Sequence, residues 1–575
     1  MRIALAQQNY HIGNFESNTQ KIISAIERAK NAGAELIVFS ELSICGYPAR
    51  DFLDFEDFIN QCYTAINTIK QHTNGIGVIL GSPQKNLDAS GKDLFNAAWL
   101  LHNGEISGIS QKTLLPTYDI FDENRYFEPA FEWNIIPFNG YHIALTICED
   151  IWNLGDNPRY RQCPLDFLVA QQPDLIINIS ASPFDYDHDE DRKEVIRANV
   201  LKYGLPLVYC NAVGAQTEIV FDGGSLVYDA EGNLLKELAY FEEAFCVMDF
   251  EVAKKQTQQY NRDSRRGILS KETDKEMRVS KIDDPDKIID FLTAENNIRQ
   301  IHQALILGIR DYFQKMGFTK AILGSSGGVD SAVALALACE ALGAENVRAI
   351  LMPSPFSTPH SVHDAEELSR RLGNPYDIIP INDVYNSFLM SLKPVFNDLP
   401  FNIAEENIQS RSRGNLLMAI ANKFGYILLN TSNKSELATG YGTLYGDMAG
   451  GLSLLGDLYK MQVYALARYM NRHKEIIPLN IITKAPSAEL RPNQKDSDSL
   501  PDYEVLDKVL YQYIEKRQGP QEIAAMGIDP ALVNRVLRLV NVNEYKRNQF
   551  CPVIRVSSKA FGVGRRMPIV GKYLS

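Results

Sequence analysis

The sequence predicts an α/β protein with two layered domains, and three observations lead to this prediction. A chain of 575 residues is too long for one hydrophobic core, and an apolar fraction of 45% is enough to fill two. Short apolar runs alternate with amphipathic helical patterns in both halves. Residues 253–285 are charged and poor in large apolar side chains. We therefore expect domains at 1–252 and 286–575, joined by a linker at 253–285.

The first half alternates predicted strands with predicted helices. The strand RIALAQQN is followed by NTQKIISAIERAKNAG, in which Ile22, Ile26 and Ala29 share one helical face and Gly33 ends the pattern. Further apolar runs then predict buried strands: AELIVFSE, GIGVILGSP, HIALTICED, DLIINISAS and LPLVYCNAV. This half is predicted to be a layered α/β domain that ends near residue 252.

The second half has the alternation of a parallel sheet. A long helical pattern, NNIRQIHQALILGIRDYFQKMG, precedes the strand KAILGSS and the helix SAVALALACEALG. The strands NVRAILMPS and YILLNTS then alternate with further helices. This order favours a doubly wound, Rossmann-like parallel sheet.

Composition narrows the class of protein. A net charge of -13 argues against wrapping nucleic acid, since neutralising phosphates needs a basic surface. The chain has no targeting pattern at its start and no apolar run near the roughly 20 residues of a membrane span. The eight cysteines are scattered, without CxxC pairs. We expect a soluble cytoplasmic protein with reduced thiols.

The segment LGSSGGVDSAVALALA places residues 324–331 between an apolar strand and an Ala-rich helix. Small residues allow backbone N–H groups to approach an anion, and a helix N-terminus adds its positive dipole end. The segment lacks the GK[ST] ending of a Walker A loop. A simple Gly-rich turn capped by Asp330 or Ser331 is the alternative, but the hexapeptide in its strand-loop-helix context favours a phosphate site.

The spelling SGGVDS resembles the pyrophosphate loop of the ATP pyrophosphatases, enzymes that split ATP between its α and β phosphates to adenylate a substrate. The resemblance implies that Asp330 binds Mg²⁺, for which hard oxygen ligands are suited. It also implies that the whole loop binds ATP: Gly324, Ser325, Ser326, Gly327, Gly328, Val329, Asp330 and Ser331.

The loop leaves the substrate open, because GMP synthetase, argininosuccinate synthetase and tRNA-modifying enzymes share it. Three later segments resemble the NAD synthetase domain in order and spacing: EENIQSRSRGN, LLNTSNKSELATGYGTLYGDMAGGLSLLGDLYK and PSAELRPNQKDSDSLPDYEVLD. EYKRNQ and KAFGVGRRMPI extend the match. The resemblance implies that Thr431 binds ATP and that Glu436 lies near Mg²⁺ with Asp330. It implies a deamido-NAD site of Asn407, Glu436, Asp447, Lys460 and Lys546.

Three segments of the first half carry Glu41, Lys112 and Cys148: FSELSICGYP, QKTLLPTYDIFDENRYF and LTICEDIW. Taken alone, a cysteine after an apolar run is usually a core residue and a lysine is usually solvated. Together the segments resemble the nitrilase-type amidase family, which implies an αββα sandwich and a catalytic Glu, Lys, Cys set.

Such a set suits a thiol nucleophile. A thiol with a pKa near 8.5 is mostly protonated at neutral pH and needs activation. Glu41 would take the proton of Cys148, and Lys112 would stabilise the thiolate and the oxyanion. The backbone N–H of Glu149 is a second predicted oxyanion donor, because the chain must turn after the strand. The sequence does not place Glu123.

The glutamine pocket comes from the resemblance. It implies contacts from Tyr118, Phe121, Ser182 and His188. Relatives usually carry Lys or Arg at the position of His188. A histidine there would make glutamine affinity sensitive to pH, since imidazole titrates near neutrality.

The whole chain thus resembles the glutamine-dependent NAD synthetases. The resemblance implies ATP-dependent amidation of deamido-NAD to NAD with ammonia from glutamine, through an NAD-adenylate, with release of AMP and pyrophosphate. It also implies a homo-oligomer that binds small molecules. Two alternatives stay open: an ammonia-only NAD synthetase with an inert amidase domain, and another ATP-pyrophosphatase amidotransferase that acts on a nucleotide or tRNA.

Overall fold

The computed structural model describes residues 1–88, 90–154, 159–186, 188–250, 284–397, 399–492 and 494–574, with only the backbone of His188 and Asp189. The chain divides into two compact units, Met1–Ser280 and Lys281–Ser575, which are described separately. Of the predicted linker, residues 253–283 lie outside the described ranges, and Pro285 begins a short 3₁₀ helix, Pro285–Lys287. The predicted domain limits stay predictions.

The first unit contains two six-stranded sheets. One has the order β14-β1-β2-β3-β4-β5, and the other has the order β13-β12-β9-β8-β7-β6. The strands are β1 Arg2–Gln7, β2 Leu36–Val38, β3 Gly77–Lys85, β4 Leu94–His102, β5 Glu105–Gln111, β6 Ile136–Phe138, β7 Tyr141–Ile147, β8 Leu175–Ser180, β9 Leu207–Asn211, β10 Val213–Gln216, β11 Ile219–Asp222, β12 Leu226–Tyr228, β13 Leu234–Glu237 and β14 Ala244–Asp249. Strands β10 and β11 form a separate hairpin.

Buried side chains show how the layers of this unit pack. Ile3 and Leu5 of β1 share an apolar core with Leu145 of β7 and Ile177 of β8, so the two sheets pack face to face. The outer faces are covered by helices through two further cores. The helices are α1 Phe15–Asn31, α2 Glu56–Lys70, α3 Glu123–Tyr126, α4 Pro164–Val169 and α5 His188–Tyr203. The predicted αββα sandwich is confirmed.

The second unit is built on a five-stranded parallel sheet of order β17-β16-β15-β18-β19. The strands are β15 Ala321–Gly324, β16 Val347–Leu351, β17 Tyr376–Ile378, β18 Ile427–Asn430 and β19 Leu452–Ser453. Neighbouring strands pair in parallel throughout. The order reverses beside β15, which is the switch point where doubly wound sheets bind ligands. The predicted doubly wound sheet is confirmed.

Thirteen helices accompany this sheet within the described residues. They are α6 Ile288–Leu292, α7 Glu295–Met316, α8 Val329–Leu342, α9 Pro359–Leu372, α10 Asn382–Phe396, α11 Ile403–Phe424, α12 Lys434–Thr439, α13 Lys460–Met470, α14 Leu479–Thr483, α15 Tyr503–Ile514, α16 Pro520–Ala525, α17 Pro530–Val542 and α18 Glu544–Arg547. No helix within the described ranges has the length and hydrophobicity that crossing a membrane requires.

Candidate active sites

The predicted triad of the first unit lies at strand ends. Lys112 directly follows β5, Cys148 directly follows β7, and Glu41 comes three residues after β2. Cys148 has a backbone φ of 42°, a left-handed conformation that is uncommon for a side chain with a Cβ. The chain therefore turns sharply at Cys148, as expected from its place after a buried strand. Strained residues of this kind cluster at active sites.

Lys112 is the centre of a buried ionic cluster. Its Nζ lies 2.8 Å from Oε1 of Glu41 and 2.7 Å from Oε1 of Glu123. The Lys112 side chain is fully buried. The Tyr47 hydroxyl donates a further 2.8 Å hydrogen bond to Oε1 of Glu123. The structure thus places Glu123, which the sequence could not, on the same cation as Glu41.

Asn96 on β4 joins the two carboxylates of this cluster. Its Nδ2 donates to Oε1 of Glu41 at 2.7 Å and to Oε2 of Glu123 at 3.3 Å. The backbone N–H of Ala181 donates to the other Glu41 oxygen at 2.9 Å. Sequence reasoning missed Asn96, because it lies inside an apolar strand with no motif around it. Glu41 is therefore held rigidly through both oxygens.

Burial controls the ionisation of this cluster. Burial raises the pKa of the Cys148 thiol, the charge of Glu41 raises it further, and the charge of Lys112 lowers it. Burial acts to lower the pKa of Lys112, but the charges of Glu123 and Glu41 raise it well above its usual range. Burial also raises the pKa of Glu123 to about 7, against the charge of Lys112. Lys112 is thus a permanent cation beside a thiol that needs a base.

Three of the four residues predicted to contact glutamine lie close to the segments that carry Glu41 and Cys148. The Tyr118 hydroxyl donates to Oε2 of Glu149 at 2.9 Å, and the Tyr118 and Phe121 rings lie 5.3 Å apart. Ser182 is buried and follows Ala181, which contacts Glu41. His188 begins α5, but its side chain lies outside the described residues. Its predicted contact stays a prediction.

The predicted phosphate loop of the second unit joins β15 to α8. Its serines hold the turn together, and the Ser326 and Ser331 hydroxyls lie 3.1 Å apart. The backbone N–H of Gly328 donates to the Ser326 hydroxyl at 3.2 Å. Within the described part of the chain, the buried hydroxyl of Ser325 has no hydrogen-bond partner. A buried polar atom without a partner at a helix N-terminus fits a site for a phosphate oxygen.

Gly327 allows this loop to pass close to α9. It has a φ of +78°, and a Cβ added there would lie 2.2 Å from the carbonyl oxygen of Ser361. We expect Gly327→Ala to lower ATP affinity about tenfold or more, equivalent to ~1.4 kcal/mol, in titration calorimetry. Gly317→Ala is the matched control, because Gly317 has a φ of +73° with no atom within 4 Å of an added Cβ. Equal ATP affinities for the two variants would contradict a steric role for Gly327.

A cavity of about 440 Å³ opens beside the loop. It collects residues that lie more than 200 positions apart in the sequence. Of the residues predicted to bind ATP or deamido-NAD, only Gly327 does not line this cavity. The predicted residues that line it are Gly324, Ser325, Ser326, Gly328, Val329, Asp330, Ser331, Asn407, Thr431, Glu436, Asp447, Lys460 and Lys546.

Lys460 links two carboxylates at one side of this cavity. Its Nζ lies 2.5 Å from Oδ2 of Asp330 and 3.5 Å from Oε1 of Glu436. Asn433, the N-cap of α12, donates to the other Asp330 oxygen at 2.9 Å. Burial raises the pKa of Glu436 to about 8, and the charge of Asp330 raises it too, against the charge of Lys460. One cation does not compensate two ionised carboxylates, and the raised pKa keeps Glu436 largely protonated at neutral pH.

The remaining predicted residues of the cavity form a separate polar group. Asn407 accepts a 2.8 Å hydrogen bond from the Thr443 hydroxyl, and Oδ1 of Asp447 accepts the Thr443 backbone N–H at 2.6 Å. Lys546 donates to the carbonyl oxygens of Gly440 and Gly442 at 2.7 and 2.9 Å. Burial lowers the pKa of Lys546 and raises that of Asp447.

Two further residues of the cavity were missed by sequence reasoning. Asp496 accepts hydrogen bonds from the Tyr503 and Tyr441 hydroxyls at 3.0 and 3.2 Å, and burial raises its pKa. Arg413 lines the cavity, and burial lowers its pKa to about 10. Asp496 lies within the segment PSAELRPNQKDSDSLPDYEVLD, and Arg413 lies within EENIQSRSRGN. The sequence thus identified the segments that form the cavity but did not single out these two residues.

The described carboxylates offer only a limited metal site. Over the residues that the structure describes, no group of three or more His, Cys, Asp and Glu side chains is arranged to hold a metal ion. Mg²⁺, however, is commonly bound by one or two carboxylates with phosphate oxygens and water. Asp330 and Glu436 both contact Lys460 and line the cavity, so these two carboxylates fit that limited role.

Comparison with known proteins covers both units. A carbon-nitrogen hydrolase family model matches residues 2–262, and an NAD synthase family model matches residues 301–550. The chain is 41% identical over 574 residues to a glutamine-dependent NAD(+) synthetase of Synechocystis, covering 99% of this chain and 98% of that protein. It is also 41% identical over 579 residues to one of Thermotoga maritima, covering 100% and 99%.

A solved structure agrees with these relatives. The glutamine-dependent NAD+ synthetase of Acinetobacter baumannii, determined in complex with adenosine diphosphate, is 35% identical with a TM-score of 0.73. The similarity covers 99% of this chain and 98% of that one. Together with the triad in one unit and the loop-lined cavity in the other, these matches show that the chain belongs to the glutamine-dependent NAD(+) synthetase family of enzymes.

Proposed function

We propose that this enzyme amidates deamido-NAD to NAD, with ATP as the activating substrate and glutamine as the nitrogen donor. The observation that carries the proposal is the 440 Å³ cavity, in which the SGGVDS loop and the deamido-NAD residues of the family share one space. A carboxylate is a poor electrophile, so adenylation by ATP precedes attack by ammonia. AMP and pyrophosphate are the expected by-products.

Cys148 is proposed as the nucleophile that attacks the glutamine amide. Glu41 removes the thiol proton, and its two oxygens are fixed by Lys112, Asn96 and the Ala181 N–H. Lys112 provides the positive charge that stabilises the thiolate and the tetrahedral oxyanion. The tetrahedral intermediate then breaks its C–N bond, and the amide nitrogen takes the proton held by Glu41 and leaves as ammonia. Water hydrolyses the remaining thioester, which releases glutamate and regenerates the thiol.

The nucleotide cavity supplies the electrostatics of adenylation. The loop serines and backbone N–H groups hold phosphate oxygens, and Lys460 adds a buried cation beside Asp330. Thr431 is proposed to contact ATP, and Asn407, Glu436, Asp447, Lys460 and Lys546 to contact deamido-NAD. Asp330 and Glu436 would hold Mg²⁺, which offsets the negative charge of the phosphates when bound.

The cellular setting is proposed on chemical grounds. All eight cysteines are free, as expected in a reducing compartment, and we place the enzyme in the cytoplasm. Its partners are the small molecules deamido-NAD, ATP and glutamine, and further copies of the same chain in a homo-oligomer.

The substrate assignment is tested with purified protein, ATP and Mg²⁺. Deamido-NAD is compared with xanthosine monophosphate and with bulk tRNA as acceptors, each with glutamine or ammonium, and AMP release is followed. We expect AMP and NAD in equal amounts from deamido-NAD alone. AMP release only with one of the other acceptors would contradict the proposed substrate, and NAD formation from ammonium but never from glutamine would indicate an inert amidase unit.

A further inference from the structure

We infer that Asp150 is a positioning residue for glutamine hydrolysis, because its carboxylate ties the segment that carries Lys112 to the segment that carries Cys148. The inference rests on the proposed role of these two residues in releasing ammonia. In this role Asp150 touches neither the substrate nor the thiol, and it acts only through hydrogen bonds to backbone N–H groups.

The contacts of Asp150 are divided between the two segments. Its Oδ1 accepts the backbone N–H groups of Thr113 and Leu114, directly after Lys112, at 3.0 and 2.9 Å. Its Oδ2 accepts the backbone N–H of Ile147, directly before Cys148, at 3.1 Å. Asp150 is 2% exposed. Each carboxylate oxygen therefore holds one of the two catalytic segments.

Only an ionised carboxylate can make this connection. The side-chain amide of Asn has the same shape but carries one acceptor oxygen and one donor NH₂ group. Its NH₂ group would therefore face a backbone N–H, and two donors cannot form a hydrogen bond. Burial raises the pKa of Asp150 to about 7, while the N–H groups of Leu114, Ile147 and Thr113 and the charge of Lys112 lower it. Measurements at pH 8 and above therefore examine mainly the ionised form.

The connection bears on reactivity at Cys148. Lys112 is fixed on its other side by Glu41 and Glu123, and its charge lowers the pKa of the thiol. If the tie through Asp150 is lost, one direct link that fixes the separation of Lys112 and Cys148 disappears. A shift on the order of 1 Å at a catalytic group can cost about 10²-fold in rate.

Asp174→Asn is the matched control for Asp150→Asn. The Asp174 side chain accepts a 2.8 Å hydrogen bond from the backbone N–H of His142. His142 lies on β7, at the opposite end from Ile147. Both substitutions remove a carboxylate that accepts a backbone N–H of β7, but only Asp150 also contacts the segment that follows Lys112.

The test measures NAD synthesis at pH 8 from glutamine and from ammonium, and the pH profile of Cys148 alkylation by iodoacetamide, read by peptide mass spectrometry. Asp150→Asn is expected to lower kcat with glutamine about tenfold or more, with little change in KM for glutamine and ammonium-dependent synthesis intact. Its alkylation profile shifts to higher pH. Asp174→Asn leaves kcat and the profile as in the wild type.

An unchanged kcat with glutamine in Asp150→Asn would overturn the inference, as would a lowered kcat with an unshifted alkylation profile, which indicates a merely structural role. If Asp150→Asn does not fold, Asp150→Glu is measured instead, with an intermediate kcat and an intermediate shift expected and an unshifted profile again contradicting the inference. A wild type that makes no NAD from glutamine would contradict the proposed function itself.

Discussion

Cys148→Ala is expected to abolish NAD synthesis from glutamine and to leave synthesis from ammonium close to the wild-type rate. Removing a nucleophile costs roughly 10³-fold or more in kcat, because no other group can form the covalent intermediate. Cys148 interacts electrostatically with the buried Lys112 and Glu41 of the first unit, whereas the cavity proposed for adenylation lies in the second. The measurement is a coupled absorbance assay for NAD with each nitrogen source.

Cys210→Ala is the control for this variant. Cys210 is also buried in the same unit, and its thiol contacts the carbonyl oxygens of Ala6 and Val38 at 3.7 and 3.4 Å. Among the described residues, no contact joins Cys210 to Lys112, so glutamine use should persist. Loss of glutamine use in both variants would show that removing any buried thiol from this unit causes the effect. It would then not be specific to the proposed nucleophile.

Asp330→Asn is expected to lower NAD synthesis from both nitrogen sources by about 10²- to 10³-fold. The substitution keeps the shape of the side chain and removes the charge that binds Lys460 at 2.5 Å. It also removes one of the two carboxylates proposed for Mg²⁺. Alkylation of Cys148 by iodoacetamide should be unchanged, because Asp330 lies in the other unit.

The matched control is Asp311→Asn, which also removes a buried aspartate that pairs with a lysine in the same unit. Oδ2 of Asp311 lies 3.3 Å from Nζ of Lys315 on α7, and neither residue lines the cavity. Wild-type synthesis in Asp330→Asn, or an equal loss in both variants, would contradict a specific role for Asp330 in adenylation.

Local sequence patterns predicted the strands, and the turns that follow them, at both candidate sites. The apolar run before Cys148 became β7, and the Gly-rich segment became the turn between β15 and α8. The resemblance to known families supplied Glu41, Lys112 and Cys148, and the structure then brought Lys112 within 2.8 Å of Glu41. These features could be predicted because strand ends and turns depend on residues that are close together in the sequence.

The supporting residues could not be predicted, because their roles arise from contacts between distant segments. Asn96 reaches Glu41 across 55 sequence positions from inside an apolar strand. Asp150 contacts Thr113 across 37 positions, and the partly buried guanidinium of Arg413 is recognisable only once the cavity is formed. Neither periodicity nor local composition records which partner a buried polar side chain meets.

The most direct test of coupled amidation is isotope transfer. The wild-type enzyme is given glutamine labelled with ¹⁵N at the amide, together with deamido-NAD, ATP and Mg²⁺, and the NAD formed is analysed by mass spectrometry. We predict ¹⁵N in the carboxamide of NAD, with one glutamate and one AMP formed per NAD. Glutamate released without ¹⁵N-labelled NAD would contradict the account, because the two chemistries would then occur in one chain without being joined.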